Sequence, residues 1–367
     1  MKRELPIVCS YNEWDPLEEV IVGSVLGAAK MAFEPAISAY FNLNIPNRQF
    51  KGSRYSEEDI QKAEQQLNNL AKILEKEGVI VRRPDLVDYF KPVKTPDFEI
   101  PCGNCSACPR DVLLVIGDEI IEAPMAQRAR FFEYRAYRTL IKEYFRKGAR
   151  WTTAPKPLMS DRLYAPNYTI EHEPFDADNH PALTDFEPCF DAVSFVRFGQ
   201  DIFYQPDIVT NNFGVKWLQR HLGLKFRFHR VRFADKHPPQ HIDTTLVPIR
   251  AGIVLINPER PCIDDTLELF LNNNWEVIEA PPSVRDVEFY SPEVSNWISM
   301  NILCIDEERV IVEEAEESMI KLLESLGCKV ITCPFEEVYK FGGSFHCCTL
   351  DIRRRGNLQS YFPSLEE

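Results

Sequence analysis

Asp111–Pro124 reads DVLLVIGDEIIEAP, two apolar stretches joined by a Gly-Asp pair. Val, Ile and Leu on either side of a two-residue polar turn predict a β-hairpin. The pattern returns three times, as SFVRFGQDIFYQP (Ser194–Pro206), TTLVPIRAGIVLINP (Thr244–Pro258) and SMNILCIDEERVIVEE (Ser299–Glu314). Each hairpin is followed by a helical stretch and then a further apolar strand, such as WEVIEAP or CKVITCP. A ββαβ unit recurring roughly every 50 residues is a repeat architecture, closed or stacked, and not a doubly wound sheet.

Helical periodicity is clearest over Glu57–Lys76. There Ile60, Leu67, Leu70, Ile73 and Leu74 share a face, Ser56 is placed as N-cap and Gly78 as the C′ residue. A second helix is expected over Met125–Arg146. Its Arg128, Arg130, Arg135, Arg138 and Arg146 read as a solvated face paired with nearby Glu residues. Shorter helices are expected around Lys216–His221, Asp264–Asn273 and Glu314–Leu326. No Gly/Ser linker or low-complexity stretch divides the chain, so residues 1–367 are expected to form one domain.

Composition narrows the function. Lys plus Arg number 42 against 56 Asp plus Glu, a formal net charge of −14, which argues against a nucleic-acid partner and against an anionic membrane surface. No apolar run approaches the ~18 residues of a membrane span. The N-terminal MKRELPIVCSYNEWDP is charged too soon for a signal peptide and lacks an Arg/Ser-rich leader. A cytoplasmic protein is the expectation. Eleven cysteines, odd in number and scattered, argue against a disulfide framework.

Polar residues recur at the head of each hairpin. Pro109-Arg110-Asp111 opens the first and Cys189-Phe190-Asp191 precedes the second. Gln240-His241-Ile242-Asp243 precedes the third, and Val294-Ser295-Asn296-Trp297 the fourth. Gly342-Gly343-Ser344-Phe345-His346-Cys347-Cys348 opens one more strand, TLDIRRR. If the units pack around an axis, these heads converge on one pocket holding a thiol, an imidazole and several carboxylates. Thiol acyl transfer needs one orienting acid and oxyanion donors. Three aspartates suit instead a cationic reacting centre, and a planar guanidinium is matched by bidentate carboxylates.

These residues lie in longer blocks that are similar to the arginine:glycine amidinotransferase family, within the guanidino-group modifying enzymes. The blocks include SYNEWDPLEEVIVG, VRRPD, KTPDFE, PRDVLLVIGDEIIEAPMA, RFFEYRAYR, KGARWTTAPKP, FEPCFDA, GIVLINPERPC and GGSFHCCTLDIRRRGNLQSY, over nearly the whole chain. The resemblance implies a five-bladed α/β propeller of pseudo-repeated ββαβ units, no cofactor, no metal and commonly a homodimer. It places the nucleophile on Cys347, the acid/base on His241 and the acid paired with it on Asp191. Guanidinium-binding acids fall on Asp111 and Asp243, and contacts to the amino-acid end of the donor on Arg260 and Ser295. A neighbouring serine of the family is Val294 here.

The implied reaction is transfer of the amidino group of L-arginine, through an amidino-cysteine, to a primary amine, with release of ornithine and ping-pong kinetics. Glycine-specific members carry Met before the HID motif and an Asn upstream. Here Gln240 and Lys236–Pro239 stand there, so the expected acceptor is a biosynthetic amine other than glycine, as in saxitoxin-like guanidino toxin pathways. Three alternatives stay open: a glycine amidinotransferase making guanidinoacetate, an arginine deiminase-like hydrolase, and a non-catalytic arginine-sensing or metal-binding protein. The last would work through Cys102-Gly-Asn-Cys105-Ser-Ala-Cys108, where the family carries a variable, non-cysteine loop. Cys348 is expected to be structural, turned away from the site by strand alternation. The histidines other than His241, among them His346, are assigned no role.

Overall fold

In the computed structural model the described residues are 6–39, 51–166, 168, 181–234, 241–284 and 295–365. All four hairpins form. Leu113–Ile116 pairs antiparallel with Glu119–Glu122, and Phe195–Phe198 with Asp201–Tyr204. Leu246–Arg250 pairs with Ile253–Ile256, and Leu303–Cys304 with Arg309–Glu313. In the first two the closing pairs are Ile116↔Glu119 and Phe198↔Asp201, so the loops have two residues. Gly117 (φ 62°) and Gly199 (φ 71°) supply the positive φ such loops demand.

A third strand joins each hairpin in parallel: Arg150–Thr153, Arg227–Arg230, Glu276–Glu279 and Lys329–Cys333. A parallel neighbour cannot be reached by a tight turn. The crossovers contain helices Arg138–Arg146, Asn212–Leu222, Thr266–Asn272 and Glu317–Ser325. The fifth sheet has the same form but is cut in sequence. Thr349–Arg354 pairs antiparallel with Leu17–Val22, which pairs in parallel with Ile80–Arg82 after helix Glu57–Lys76. The two ends of the chain thus complete one blade of a five-bladed α/β propeller.

The helix Glu57–Lys76 begins and ends as its sequence requires. Ser56 Oγ accepts the Asp59 N–H at 3.0 Å, and Gly78 takes φ 90°. Its Leu67, Leu70 and Leu74 are fully buried, each gaining roughly 2 kcal/mol from leaving water. The expected long helix over Met125–Arg146 is a correction. Short 3₁₀ turns occupy Arg128–Arg130 and Glu133–Tyr137, and the α-helix starts only at Arg138. Burial of Arg130 and Glu133 in the interior bends this segment off a regular path.

Charged side chains fill the axis. Arg197 grips Glu13 through Nε (2.7 Å) and Nη2 (2.6 Å) and reaches Asp351 at 2.9 Å. Arg110 donates to Asp351 at 2.7 Å and to Glu13 at 3.2 Å, and Arg354 Nε to Asp351 at 2.8 Å. Each of these charges is buried and paired, as the low dielectric requires. No helix among the described residues is long and apolar enough to cross a membrane.

Candidate active site

Every blade begins its inner strand with a turn at the axis. Four are short helical turns: Pro109–Val112, Ala192–Ser194, Ile242–Thr244 and Ile298–Met300. The fifth is the turn over Phe345–Cys348, just before Thr349. The first packs on the second, the second on the third and the third on the fourth. The ring is completed by His346 N, which donates to Asn301 O at 3.3 Å, and by Arg110 N, which donates to Cys347 O at 3.4 Å. Heads far apart in sequence therefore meet.

One ligand-capable atom each of Asp111, His241 and Cys347 lies within 4.8 Å of the other two, and all three residues are buried. His241 Nε2 sits 3.1 Å from Asp191 Oδ2. The Cys347 thiol donates to Asp243 Oδ2 at 3.2 Å. The same oxygen accepts from Asn301 Nδ2 at 2.6 Å and meets His346 Nδ1 at 2.8 Å. Asn301 also holds Cys347 from both ends. Its Nδ2 donates to Cys347 Sγ at 3.3 Å and its Oδ1 accepts Cys347 N–H at 3.1 Å.

Arg130 was expected on a solvated face and is instead buried in the site. Its Nη1 donates to Asp111 Oδ2 at 2.9 Å and to Asp191 Oδ2 at 3.4 Å, and its Nε grips Glu133 at 3.1 and 3.0 Å. The second oxygens, Asp111 Oδ1 and Asp191 Oδ1, are buried without a hydrogen-bond partner. Two unpaired carboxylate oxygens beside a thiol and an imidazole are acceptors suited to a ligand with several N–H donors.

The field of these acids sets the protonation states. Burial opposes charge on His241, but Asp111, Asp191 and Asp243 outweigh it and raise its pKa to about 9. Burial, with Asp243 and Asp111, pushes the Cys347 thiol well above its ordinary value. Burial raises Asp111 despite Arg130 and His241, and raises Glu133 to about 7 despite Arg130. Burial is overcome at Asp243, where the hydrogen bond and charge of His346 hold the carboxyl below its usual range. Without a ligand, then, the pair is thiol and imidazolium. A cation against Asp111 and Asp243 would offset the acids' part in keeping the thiol protonated.

Arg260 stands apart from this cluster, bonded to Thr245 Oγ1 and, at 3.3 Å, to Gln205 Oε1, with its guanidinium over the Phe233 ring. Ser295 Oγ accepts Trp297 N–H at 3.1 Å, and Trp297 Nε1 donates to Glu259 at 3.0 Å, so the segments bearing Ser295 and Arg260 pack together. Gln240, Lys236–Pro239 and Val294 lie outside the described residues. Cys348 is fully buried, but in the turn before the strand, so strand alternation is not what directs it.

The trio Asp111, His241 and Cys347 could ligate a metal ion. An imidazole already protonated at neutral pH and the Arg130 charge 2.9 Å from Asp111 both work against a divalent cation there. Among the described residues no metal-ligating group of three includes Cys102, Cys105 or Cys108.

Asn301, Arg130, Glu133 and His346 were missed in the sequence. Asn301 had a signal. Asp111, Asn301 and Cys347 each stand two residues before the first residue of an inner strand, Leu113, Leu303 and Thr349. Counting back from the strands selects Asn301 in the fourth head, where the polar run suggested Ser295, although in the second and third blades the same count falls on Val193 and Thr244. Arg130 had none, since one arginine in a run of several reads the same whether it is buried or exposed.

A thiol, an imidazole and carboxylates meeting at the axis of a five-bladed propeller define the class: α/β-propeller enzymes with a cysteine at the centre. No protein-family model matches the chain. Curated relatives do. The mitochondrial glycine amidinotransferase of Gallus gallus is 47% identical over 369 residues, covering 98% of this chain and 86% of that protein. The L-arginine:L-lysine amidinotransferase of Pseudomonas savastanoi pv. phaseolicola is 46% identical over 358 residues, 96% of each. Among solved structures, SxtG, an amidinotransferase of the saxitoxin biosynthetic pathway from Microseira wollei, superposes with a TM-score of 0.89 at 47% identity. That match covers 97% of this chain and 100% of the other. The chain belongs to the amidinotransferase family and is a transferase.

Proposed function

We propose that the protein moves the amidino group of L-arginine to a primary amine through a covalent intermediate on Cys347. The observation that carries this reading is the convergence of Cys347, His241 and Asp111, with Asp191 and Asp243 bonded to them, in one buried site. The guanidinium of arginine sits against Asp111 and Asp243, and its charge offsets theirs, so the Cys347 proton passes to solvent and the thiolate attacks the guanidinium carbon. His241, already an imidazolium, gives its proton to the departing nitrogen, and ornithine leaves. Asp191 holds the ring in place. Arg260 and Ser295 bind the amino-acid end of the donor. The acceptor amine then enters, gives a proton to His241 and attacks the amidino carbon, which frees the thiol. The kinetics are ping-pong and the enzyme works in the cytoplasm as a homodimer without a cofactor.

The acceptor is a biosynthetic amine larger than glycine, as the substitutions at Gln240 and Lys236–Pro239 and the similarity to SxtG suggest. Glycine is the second reading, favoured by the identity to glycine amidinotransferases. The experiment is ornithine release from L-arginine with a panel of primary amines, followed by intact mass. The expected result is an amidine on Cys347 without acceptor, discharged best by one longer amine and absent in Cys347→Ser. Best turnover with glycine would give the second reading. Citrulline and ammonia in place of ornithine would mean hydrolysis.

A further inference from the structure

The CGNCSAC segment has no part in the reaction above, yet its last cysteine reaches the nucleophile. Cys108 immediately precedes the Pro109–Val112 turn that carries Asp111, and Cys347 lies in the turn bonded to it through Arg110 N. Gly343 packs against both residues. A Cβ there would lie 2.9 Å from Cys108 Sγ, 3.5 Å from Cys347 Sγ and 2.7 Å from Cys347 Cβ. Both sulfurs therefore border one small space that a side chain at 343 would fill. Cys105, Cys108, Cys347 and Cys348 share one buried cluster, and every cysteine is a free thiol. Cys105 and Cys108 also line a small cavity with Asp111, Arg130 and Gly342, which joins them to the acid side of the site.

We propose that Cys108 and Cys347 form an oxidative modification site, in which Cys108 captures the oxidised nucleophile as a disulfide. The oxidant is a peroxide. Cys347 sulfur attacks one oxygen of hydrogen peroxide, an S–O bond forms, the O–O bond breaks, and water leaves with the sulfenic acid behind. Cys108 sulfur then attacks the sulfenic sulfur, S–S forms, S–O breaks, and hydroxide takes the Cys108 proton as water. Two thiols and one peroxide give one disulfide and two waters. The link blocks the nucleophile and shields it from further, irreversible oxidation. The bond from Arg110 N to Cys347 O ties the two turns together, and a disulfide requires such proximity. A hydrogen bond with Cys348 and burial disfavour the Cys108 thiolate, and burial disfavours that of Cys347, so the reaction quickens as pH rises.

The site rests on Cys347 being the working thiol, and mass mapping separates the two ideas. Full-length protein without arginine is treated with hydrogen peroxide, alkylated and digested, and ornithine release is followed before and after dithiothreitol. The expected result is a peptide joining Cys108 to Cys347, a mass loss of about 2 Da, and recovery of most of the starting activity. Cys108→Ser, scored against its own starting activity, should instead gain about 32 Da at Cys347 and recover little. A Cys108–Cys348 link with Cys347 still alkylatable would overturn the site, as would equal recovery in Cys108→Ser. A Cys108–Cys347 link that leaves ornithine release intact upholds the site and removes Cys347 from the reaction.

Discussion

Arg130 Nη1 lies 2.9 Å from Asp111 Oδ2, and the same nitrogen stands 3.4 Å from Asp191 Oδ2, so one internal guanidinium spaces two acids of the site. It pairs with Oδ2 of each and leaves both Oδ1 atoms unpaired. Arg130→Ala would strand the charges of Asp111, Asp191 and Glu133 in a buried site. We expect a loss of about 3–5 kcal/mol in denaturant unfolding at neutral pH, smaller in acid where the carboxyls protonate. A loss under ~1 kcal/mol would contradict this role.

His241 gives stability a pH signature. Its pKa in the folded protein is about 9, above the ordinary 6.5. The folded state therefore binds the proton more tightly, and the gain is complete below about 6.5 and gone above about 9. The pH-dependent part of the stability difference between wild type and His241→Asn should be on the order of 3 kcal/mol across that window. A flat difference from pH 6 to 10 would count against it. Ornithine release should fall on the alkaline side of about pH 9, where the imidazolium is lost.

Asn301 joins Cys347 Sγ, Cys347 N and Asp243 Oδ2. Asn301→Asp keeps the shape and replaces the Nδ2 donor by a second acid beside Asp243. The thiol should then be harder to ionise, and alkylation of Cys347 by iodoacetamide at pH 8 should slow by roughly tenfold. An unchanged alkylation rate would show that Asn301 does not act on the sulfur.

Gly343→Ala would put a methyl 2.7 Å from Cys347 Cβ and 2.9 Å from Cys108 Sγ. Cys347 must move to admit it. Stability should drop by about 1–3 kcal/mol, and ornithine release by a factor of roughly 100, since displacement of about 1 Å is enough for that. Retained activity would mean that the turn relaxes freely.

What the sequence determined was local order and the identity of the polar groups that meet at the axis. Alternating apolar hairpins, Ser56 and Gly78 at the ends of Glu57–Lys76, and the recurrence of polar heads are short-range patterns, and each is visible in a few adjacent residues. Cys347, His241, Asp191, Asp111 and Asp243 stand at those heads, so a repeat read along the chain already gathers them. Tertiary structure alone decided which charges are buried. Arg130 and the solvent-facing Arg135 lie five residues apart in one arginine-rich stretch, and only the packing of five blades separates them. The same holds for Cys108, an ordinary loop cysteine until the closing blade brings Gly343 and Cys347 against it. Local patterns follow from backbone geometry, whereas desolvation and proximity across the axis depend on contacts between residues hundreds of positions apart.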